Sequence, residues 1–183
     1  MNCYWNRDVR YYTKGSWHGT KDLDGGTLFT QFSHFIDMLY WLFGDITHIN
    51  SRFFNFSHQQ LTSFEDTGAV VFDFKNGGAG SFNFSTAAWD QNLESSITIL
   101  AEKGTVKVSG QYMNAVEYCH IMDYRLPQDL SNDDASLNNT TMLDAMVNAV
   151  RNNGSSNASE GAKAVDMIER IYMAGQQNTK TGS

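Results

Sequence analysis

The chain lacks the features that mark several large protein classes. Its two cysteines, Cys3 and Cys119, lie far apart and belong to no CxxC or Cys/His cluster. No disulfide framework is therefore expected, and both are read as inert, reduced thiols, which favours a cytoplasmic protein. No apolar run approaches the roughly 20 residues that a membrane span needs, and the opening MNCYWNRDVR has no signal-peptide apolar region. The Asn-x-Ser/Thr triplets at Asn55 and Asn83 are accordingly read as chance occurrences. Thirteen basic residues stand against 20 acidic ones, a net charge of −7 with no basic cluster, so neither nucleic acid nor a membrane is an expected partner. Internal repeats and low-complexity tracts are also missing.

Several chemical signatures are absent as well. A phosphate-binding glycine loop follows a strand and opens a helix, because the helix N-terminus holds the anion. The stretch NGGAGS (Asn76 to Ser81) follows a strand pattern but leads into another, and is assigned to a β-turn. His18, His48, His58 and His120 are scattered without metal-ligand spacing, so no metal is expected. There is no serine nucleophile elbow and no Cys/His pair.

What remains is rich in aromatic residues, at 13% of 183, a length that suits one domain with a substantial core. Cys3 to Tyr12 reads as a strand, and Thr13 to Gly26 as a Gly- and Asp-rich loop. Period-two alternation marks strands over Ile46 to Phe56, Thr67 to Phe74, Ala79 to Thr86, Ser95 to Glu102 and Thr105 to Gly110, with a further one possible around QYMNAVEYCHI. The links Lys75 to Gly78 and Glu102 to Gly104 are short and carry glycine, which predicts antiparallel neighbours in a meander. Helices are expected over Leu137 to Asn153 and Ser159 to Gly175, the second with Ala164, Met167, Ile168 and Ile171 as its core stripe. The fold class is therefore α+β, a mostly antiparallel open-faced sheet with helices on one face.

The most informative stretch is DGGTLFTQFSHFIDMLYWLFGD, Asp24 to Asp45. Leu28, Phe32, Phe35, Ile36, Leu39, Leu42 and Phe43 recur three and four apart, as on the buried face of a helix that stops near Gly44. Gln31, His34, Asp37 and Trp41 repeat at the same spacing and are expected to share a second stripe. A lone helical histidine is ordinarily structural. His34 stands beside Gln31, one turn before Asp37 and just after a glycine pair that permits close approach of backbone or ligand, and in that company it can serve as a general base near neutral pH. Asp37 would orient it, stabilise its charge or simply face solvent.

YYTKGSWHGT, DGGTLFTQFSHFIDMLYWLFGD and FEDTGAVVFDFKNGGAGSFNFST resemble the C-terminal domain of the glucose-fructose oxidoreductase/inositol dehydrogenase (Gfo/Idh/MocA) family, particularly its nucleotide-sugar 3-dehydrogenase branch. The resemblance runs from about Cys3 to Gly175, and its most specific element is the pattern Gly25, Gly26, Gln31, His34, Asp37. It implies that His34 is a catalytic acid/base acting at a sugar ring opposite a nicotinamide. It further implies that Lys14, Trp17, Thr20, Thr30 and Gln31 lie near the sugar or its nucleotide. Thr30 stands where many relatives carry Asp or Asn, and Phe32 where they commonly carry Gly. Relatives also carry an N-terminal Rossmann domain of roughly 120 residues with a dinucleotide glycine loop and a catalytic Glu-Lys-Pro lysine. Neither occurs here, since Glu102 to Gly104 (EKG) is a hairpin turn downstream of the helix.

Residues 1–183 are thus expected to form the substrate-binding and oligomerisation domain of an NAD- or NADP-dependent oxidoreductase of carbohydrate metabolism. Hydride would be transferred at a ring hydroxyl carbon of a sugar or nucleotide sugar, and neither cofactor is expected to bind this chain tightly by itself. The alternative is a non-catalytic sugar-binding or assembly module of the same fold. A homodimer, or a tetramer of such dimers, is expected through the open sheet face, burying at least about 1,200 Å² in total.

Overall fold

The computed structural model describes residues 1–13, 17–111, 113–125 and 158–180, with side chains over 161–176 of the last stretch. The helix expected over 137–153, the loop around Pro127 and Lys14 fall outside the described residues. The strands are β1 (Asn2–Tyr4), β2 (Ile46–Phe54), β3 (Thr67–Phe74), β4 (Ala79–Ser85), β5 (Glu94–Ala101), β6 (Gly104–Ser109) and β7 (Ala115–Ile121). The helices are α1 (Lys21–Asp24), α2 (Thr27–Thr30), α3 (Ser33–Phe43) and α4 (Ala158–Lys180). The fold is α+β, as the sequence pattern implied.

The seven strands form one sheet in the order β2-β3-β4-β1-β5-β6-β7. It is not the unbroken meander expected from the short turns. β1 lies between β4 and β5, parallel to the first, with Cys3 opposite Phe84, and antiparallel to the second, with Cys3 opposite Ser95. The cause lies in the link 86–93, which is too long for a hairpin turn and instead wraps the end of β1, with Ala88 and Leu93 donating to the carbonyls of Trp5 and Tyr4. β1 is also much shorter than the strand expected over Cys3 to Tyr12. Past Tyr4 the ladder frays: the Trp5 and Arg7 amides still reach the Ser85 and Thr86 carbonyls, the Asn6 amide goes to the Asn92 side chain, and by Tyr11 and Tyr12 the amides turn back on the Asp8 carbonyl.

One face of the sheet is buried. Cys3, Val70, Phe72, Phe82, Phe84 and Ile97 meet Leu28, Phe32, Ile36 and Leu39 of the α2–α3 segment and Met167, Ile168 and Ile171 of α4. The Ala164, Met167, Ile168, Ile171 stripe is buried as its spacing predicted. Burial pushes the Cys3 thiol up to about 12, which keeps it an unreactive core group. Helix α4 does not stop at Gly175. A Cβ there would stand 2.5 Å from the Phe53 ring, so this glycine lets α4 and β2 pack closely. Arg170 fastens the same junction, donating to the Ile46 carbonyl at 2.7 Å and pairing with Asp45.

The other face is open, and its middle is more polar than the alternation suggested. Asn83 donates to Asn2 at 3.0 Å, Ser96 to Glu94 at 3.1 Å, and the hydroxyls of Thr67 and Ser85 are 2.9 Å apart. Its exposed apolar side chains include Phe54, Val71 and Leu100. Among the described residues no helix is long and apolar enough to cross a membrane, and no cluster of His, Cys, Asp and Glu could hold a metal ion.

Candidate active site

The glycine pair that opens the helical region has a structural explanation. Gly25 closes α1 in the left-handed conformation, with φ of 79°, which costs a glycine nothing sterically. Gly26 has φ of 120°, and a Cβ there would lie 2.4 Å from the Tyr172 hydroxyl. That hydroxyl accepts from the Leu28 amide at 3.0 Å and donates to the buried Glu65 carboxylate, which also accepts from the Thr27 amide at 3.0 Å. Burial raises the Glu65 pKa. The close approach at Gly26 is therefore made by α4, which locks onto the first turn of α2.

The helix is broken at the residue the spacing placed on its polar stripe. α2 ends at Gln31, and Phe32, with φ of −123° and ψ of 7°, turns the chain before α3 begins. Gln31 consequently does not share a face with His34. It is 5% exposed, its carbonyl oxygen accepts from Arg7 Nε, and its amide donates to the Tyr11 hydroxyl. Thr30, one residue earlier, donates its hydroxyl to the buried Asp24 at 2.6 Å. Asp24 also accepts from the Gly19 amide at 2.8 Å. Both residues therefore brace the loops beside the site.

His34, Asp37 and Trp41 do form an exposed row on α3. No hydrogen bond joins Asp37 to His34 among the described residues. The His34 ring instead lies 5.7 Å from Trp5 and 4.1 Å from Phe35. This apolar flank lowers its pKa by desolvation while the ring stays reachable from solvent. A lowered pKa keeps the imidazole neutral near pH 7 and able to accept a proton.

Trp5 also begins a continuous row of planar groups. Its indole nitrogen donates to Ser95 at 2.9 Å. The Arg7 guanidinium lies 4.8 Å from the Trp5 ring centroid and 5.3 Å from that of Tyr11, a cation held on two aromatic faces. Tyr11 stacks on His18 at 4.3 Å, and Trp17 meets His18 edge-on at 3.9 Å. Trp17 is half exposed at the outer end, while Thr20 is exposed just before α1 and makes no side-chain cap bond. Sequence reasoning missed Trp5, Arg7 and Tyr11 because Cys3 to Tyr12 was read as one strand. A signal was nevertheless present: Cys3 points into the core, so Trp5 and Arg7, two and four residues on, emerge on the same side beyond the strand end.

The arrangement sets a neutral base and a guanidinium each against the Trp5 indole, with further ring faces beyond, which suits a polyhydroxylated or anionic ligand. The glycine-bearing turn between β3 and β4 leads into a strand and opens no helix, so it is not a dinucleotide loop.

The family model for the GFO/IDH/MocA C-terminal domain matches residues 1–107. Two solved WlbA dehydrogenases, from Bordetella pertussis and Chromobacterium violaceum, each in complex with NADH and UDP-GlcNAcA, are 28% identical, with TM-scores of 0.82 and 0.81. Each match covers 97% of this chain and 51% of the other, so the chain spans about half the length of these relatives. A levoglucosan dehydrogenase in complex with NADH and levoglucosan shares the fold, at a TM-score of 0.75 and 14% identity over 97% of this chain and 56% of that one. No curated protein sequence matches the chain.

Proposed function

The chain belongs to the GFO/IDH/MocA C-terminal domain family, and from that premise we propose that it is the substrate-binding and assembly domain of an NAD- or NADP-dependent oxidoreductase acting on a sugar or nucleotide sugar. The observation that carries this reading is the solvent-reachable, neutral imidazole of His34 beside the Trp5, Arg7 and Tyr11 row. The WlbA structures, solved with NADH and UDP-GlcNAcA, support the nucleotide-sugar form of the substrate.

The nicotinamide would accept the hydride from the ring carbon. With no glycine loop in the described residues, it would be held by a separate dinucleotide-binding domain, and residues 1–183 would act as one substrate-binding unit. Within this chain, His34 takes the proton of the ring hydroxyl as the carbon is oxidised, becoming imidazolium, and returns it in the reverse direction. The rings of Trp5, Tyr11 and Trp17 and the Arg7 guanidinium position the sugar or its nucleotide, and Thr20 and Lys14 are assigned to the same task. Gln31 acts indirectly by holding Arg7 and Tyr11, and Thr30 by holding Asp24. Subunits would associate as two-fold dimers through the open sheet face.

Isothermal titration calorimetry tests the division of labour. A UDP-sugar is expected to bind this chain, and NADH is not. Micromolar NADH binding would overturn the assignment of the cofactor to another domain. UDP-sugar binding that leaves His34 unperturbed by NMR would point to a sugar-binding module without acid/base chemistry.

A further inference from the structure

The loop between β4 and β5, residues 86–93, carries the most exposed large apolar side chain among the described residues. Trp89 is 94% exposed. It stands on a tight turn, in which the Gln91 amide donates to the Trp89 carbonyl at 2.7 Å across Asp90, whose φ is 68°. A bond from residue i+2 back to residue i across a positive φ makes a γ-turn of the rare, strained kind. A residue other than glycine is held in that region only where its surroundings impose it.

The surroundings are the two stems of the loop, and both are fastened to the stretch that carries Trp5 and Arg7. Ahead of the turn, Ala88 donates its amide to the Trp5 carbonyl at 3.1 Å and accepts from the Asn6 side chain at 2.7 Å. After it, the Asn92 side chain accepts from the Asn6 amide at 2.8 Å and from Arg7 Nη1 at 3.4 Å, and Leu93 donates to the Tyr4 carbonyl at 2.8 Å. Asp90 itself lies within electrostatic reach of Arg10. The turn therefore stands beside residues 6–10, along the Arg7 to Tyr11 part of the planar row and past Trp5, where His34 lies. With its stems fixed and its tip strained, the loop holds Trp89 in solvent next to that row. Strain of this kind clusters where a ligand is clamped, and an indole left in water withholds the large apolar surface that tryptophan contributes to a binding site.

We propose that Trp89 is a binding residue of the candidate site, whose indole closes on the planar base of a nucleotide sugar and holds it against the Tyr11, His18 and Trp17 end of the row. The assignment rests on the oxidoreductase reading above. With the sugar ring at His34, the groups attached to it run across Arg7 toward Tyr11, so the base and not the sugar comes to Trp89. Arg7, held by Gln31 and Asn92, places a fixed positive charge between the two ends, which suits a diphosphate. Stacking on an aromatic side chain is open to every base, because each has a π-face. Trp89 thus adds affinity for the nucleotide without choosing the sugar.

The test uses the 183-residue chain with its tryptophans replaced by 5-fluorotryptophan, the Trp89 fluorine signal being assigned from Trp89→Phe. On adding UDP-GlcNAcA, the ligand of the two WlbA structures, that signal should shift and lose its sensitivity to exchange of light for heavy water. Uridine diphosphate alone should do the same, and N-acetylglucosamine alone should not. By calorimetry Trp89→Ala should weaken UDP-GlcNAcA binding by about 10- to 100-fold, and Trp89→Phe should recover most of that loss, with Tm and the His34 NMR titration unchanged in both variants. Binding of UDP-GlcNAcA that shifts the His34 signals but leaves Trp89 solvent-sensitive, with Trp89→Ala at the parent affinity, overturns this assignment and leaves the oxidoreductase reading standing. No binding by the parent chain overturns both. A Trp89 signal that answers N-acetylglucosamine but not uridine diphosphate overturns the placing of the base. Loss of solvent sensitivity without ligand, growing with protein concentration, overturns the assignment as well, by giving the indole to a contact between subunits.

Discussion

The Trp5 indole lies 5.7 Å from the His34 imidazole, the two rings tilted by 32°, so the proposed base on α3 rests against a residue just past the end of the central strand. Desolvation is what lowers the His34 pKa. Trp5→Ala should therefore raise it toward the ordinary histidine value, read from the His34 Cε1 proton shift across an NMR pH titration. An unchanged titration would show that Phe35 alone supplies the apolar flank.

In a protein that carries both this chain and a dinucleotide-binding domain, His34→Asn should lower turnover by about 10²- to 10⁴-fold, the span for losing a general acid/base. The pH profile gives a second check. Oxidation needs neutral His34, so the rate should fall as pH drops through a pKa below the ordinary histidine value, and that limb should vanish in the variant. Turnover within twofold of the parent would return His34 to a structural role.

Gln31→Leu removes an acceptor from Arg7 and a donor from Tyr11 in a nearly buried position. Leaving these groups unpaired should cost about 1–3 kcal/mol in denaturant unfolding. Gln31→Glu keeps the acceptor for Arg7 and should retain more stability than Gln31→Leu. If Gln31 contacted ligand directly instead, both variants would weaken UDP-sugar binding with unfolding unchanged.

Period-two and period-3.6 patterns revealed most of the elements, because each has one wholly apolar face: Val70, Phe72, Phe82 and Phe84 on the sheet, and Met167, Ile168 and Ile171 on α4. They did not reveal where β1 sits, since a strand of three residues inserted between β4 and β5 is a long-range event with no local signature. The break at Phe32 was hidden for a related reason. Phe32 continues the apolar spacing of a single helix and is fully buried, yet Gln31 turns inward to Arg7, a partner 24 residues earlier. The candidate site was half legible: His34 from its company in the helix, but not Arg7 or Tyr11, whose roles depend on that same turn.

Asp66 predicts acid sensitivity. Burial opposes its ionisation, yet hydrogen bonds from His58, the Ser57 and Phe56 amides and the Thr67 hydroxyl prevail and hold the carboxyl down to about 2. Because the folded pKa lies below the unfolded one, the stabilisation is complete above the ordinary aspartate range and is lost as pH falls from about 4 toward 2. It amounts to about 2 kcal/mol. Asp66→Asn should destabilise the chain by that order at pH 7 and flatten the fall in stability between pH 4 and 2, measured by urea unfolding. An equal acid slope in parent and variant would assign the sensitivity to other carboxylates such as Asp45, which Lys75 and Arg170 likewise hold at about 2 against the effect of burial.

Assembly is the remaining test, and the polar middle of the open face sets its terms. Asn2, Asn83, Ser85 and Ser96 already hydrogen-bond to neighbours on that face, so a face-to-face dimer would gain little from burying them alone. Its apolar contribution would come from Phe54, Val71 and Leu100, which are 41%, 54% and 79% exposed. Light scattering at micromolar concentration should give at least twice the 20.6 kDa of one chain. Val71→Lys with Leu100→Lys should shift the mass toward one chain, because two-fold symmetry places each new charge in the shared interface twice. If the parent is already a monomer, the hydrogen-bonded polar middle dominates and the sheet face is not an interface in this chain. If the double variant stays dimeric, the subunits meet elsewhere.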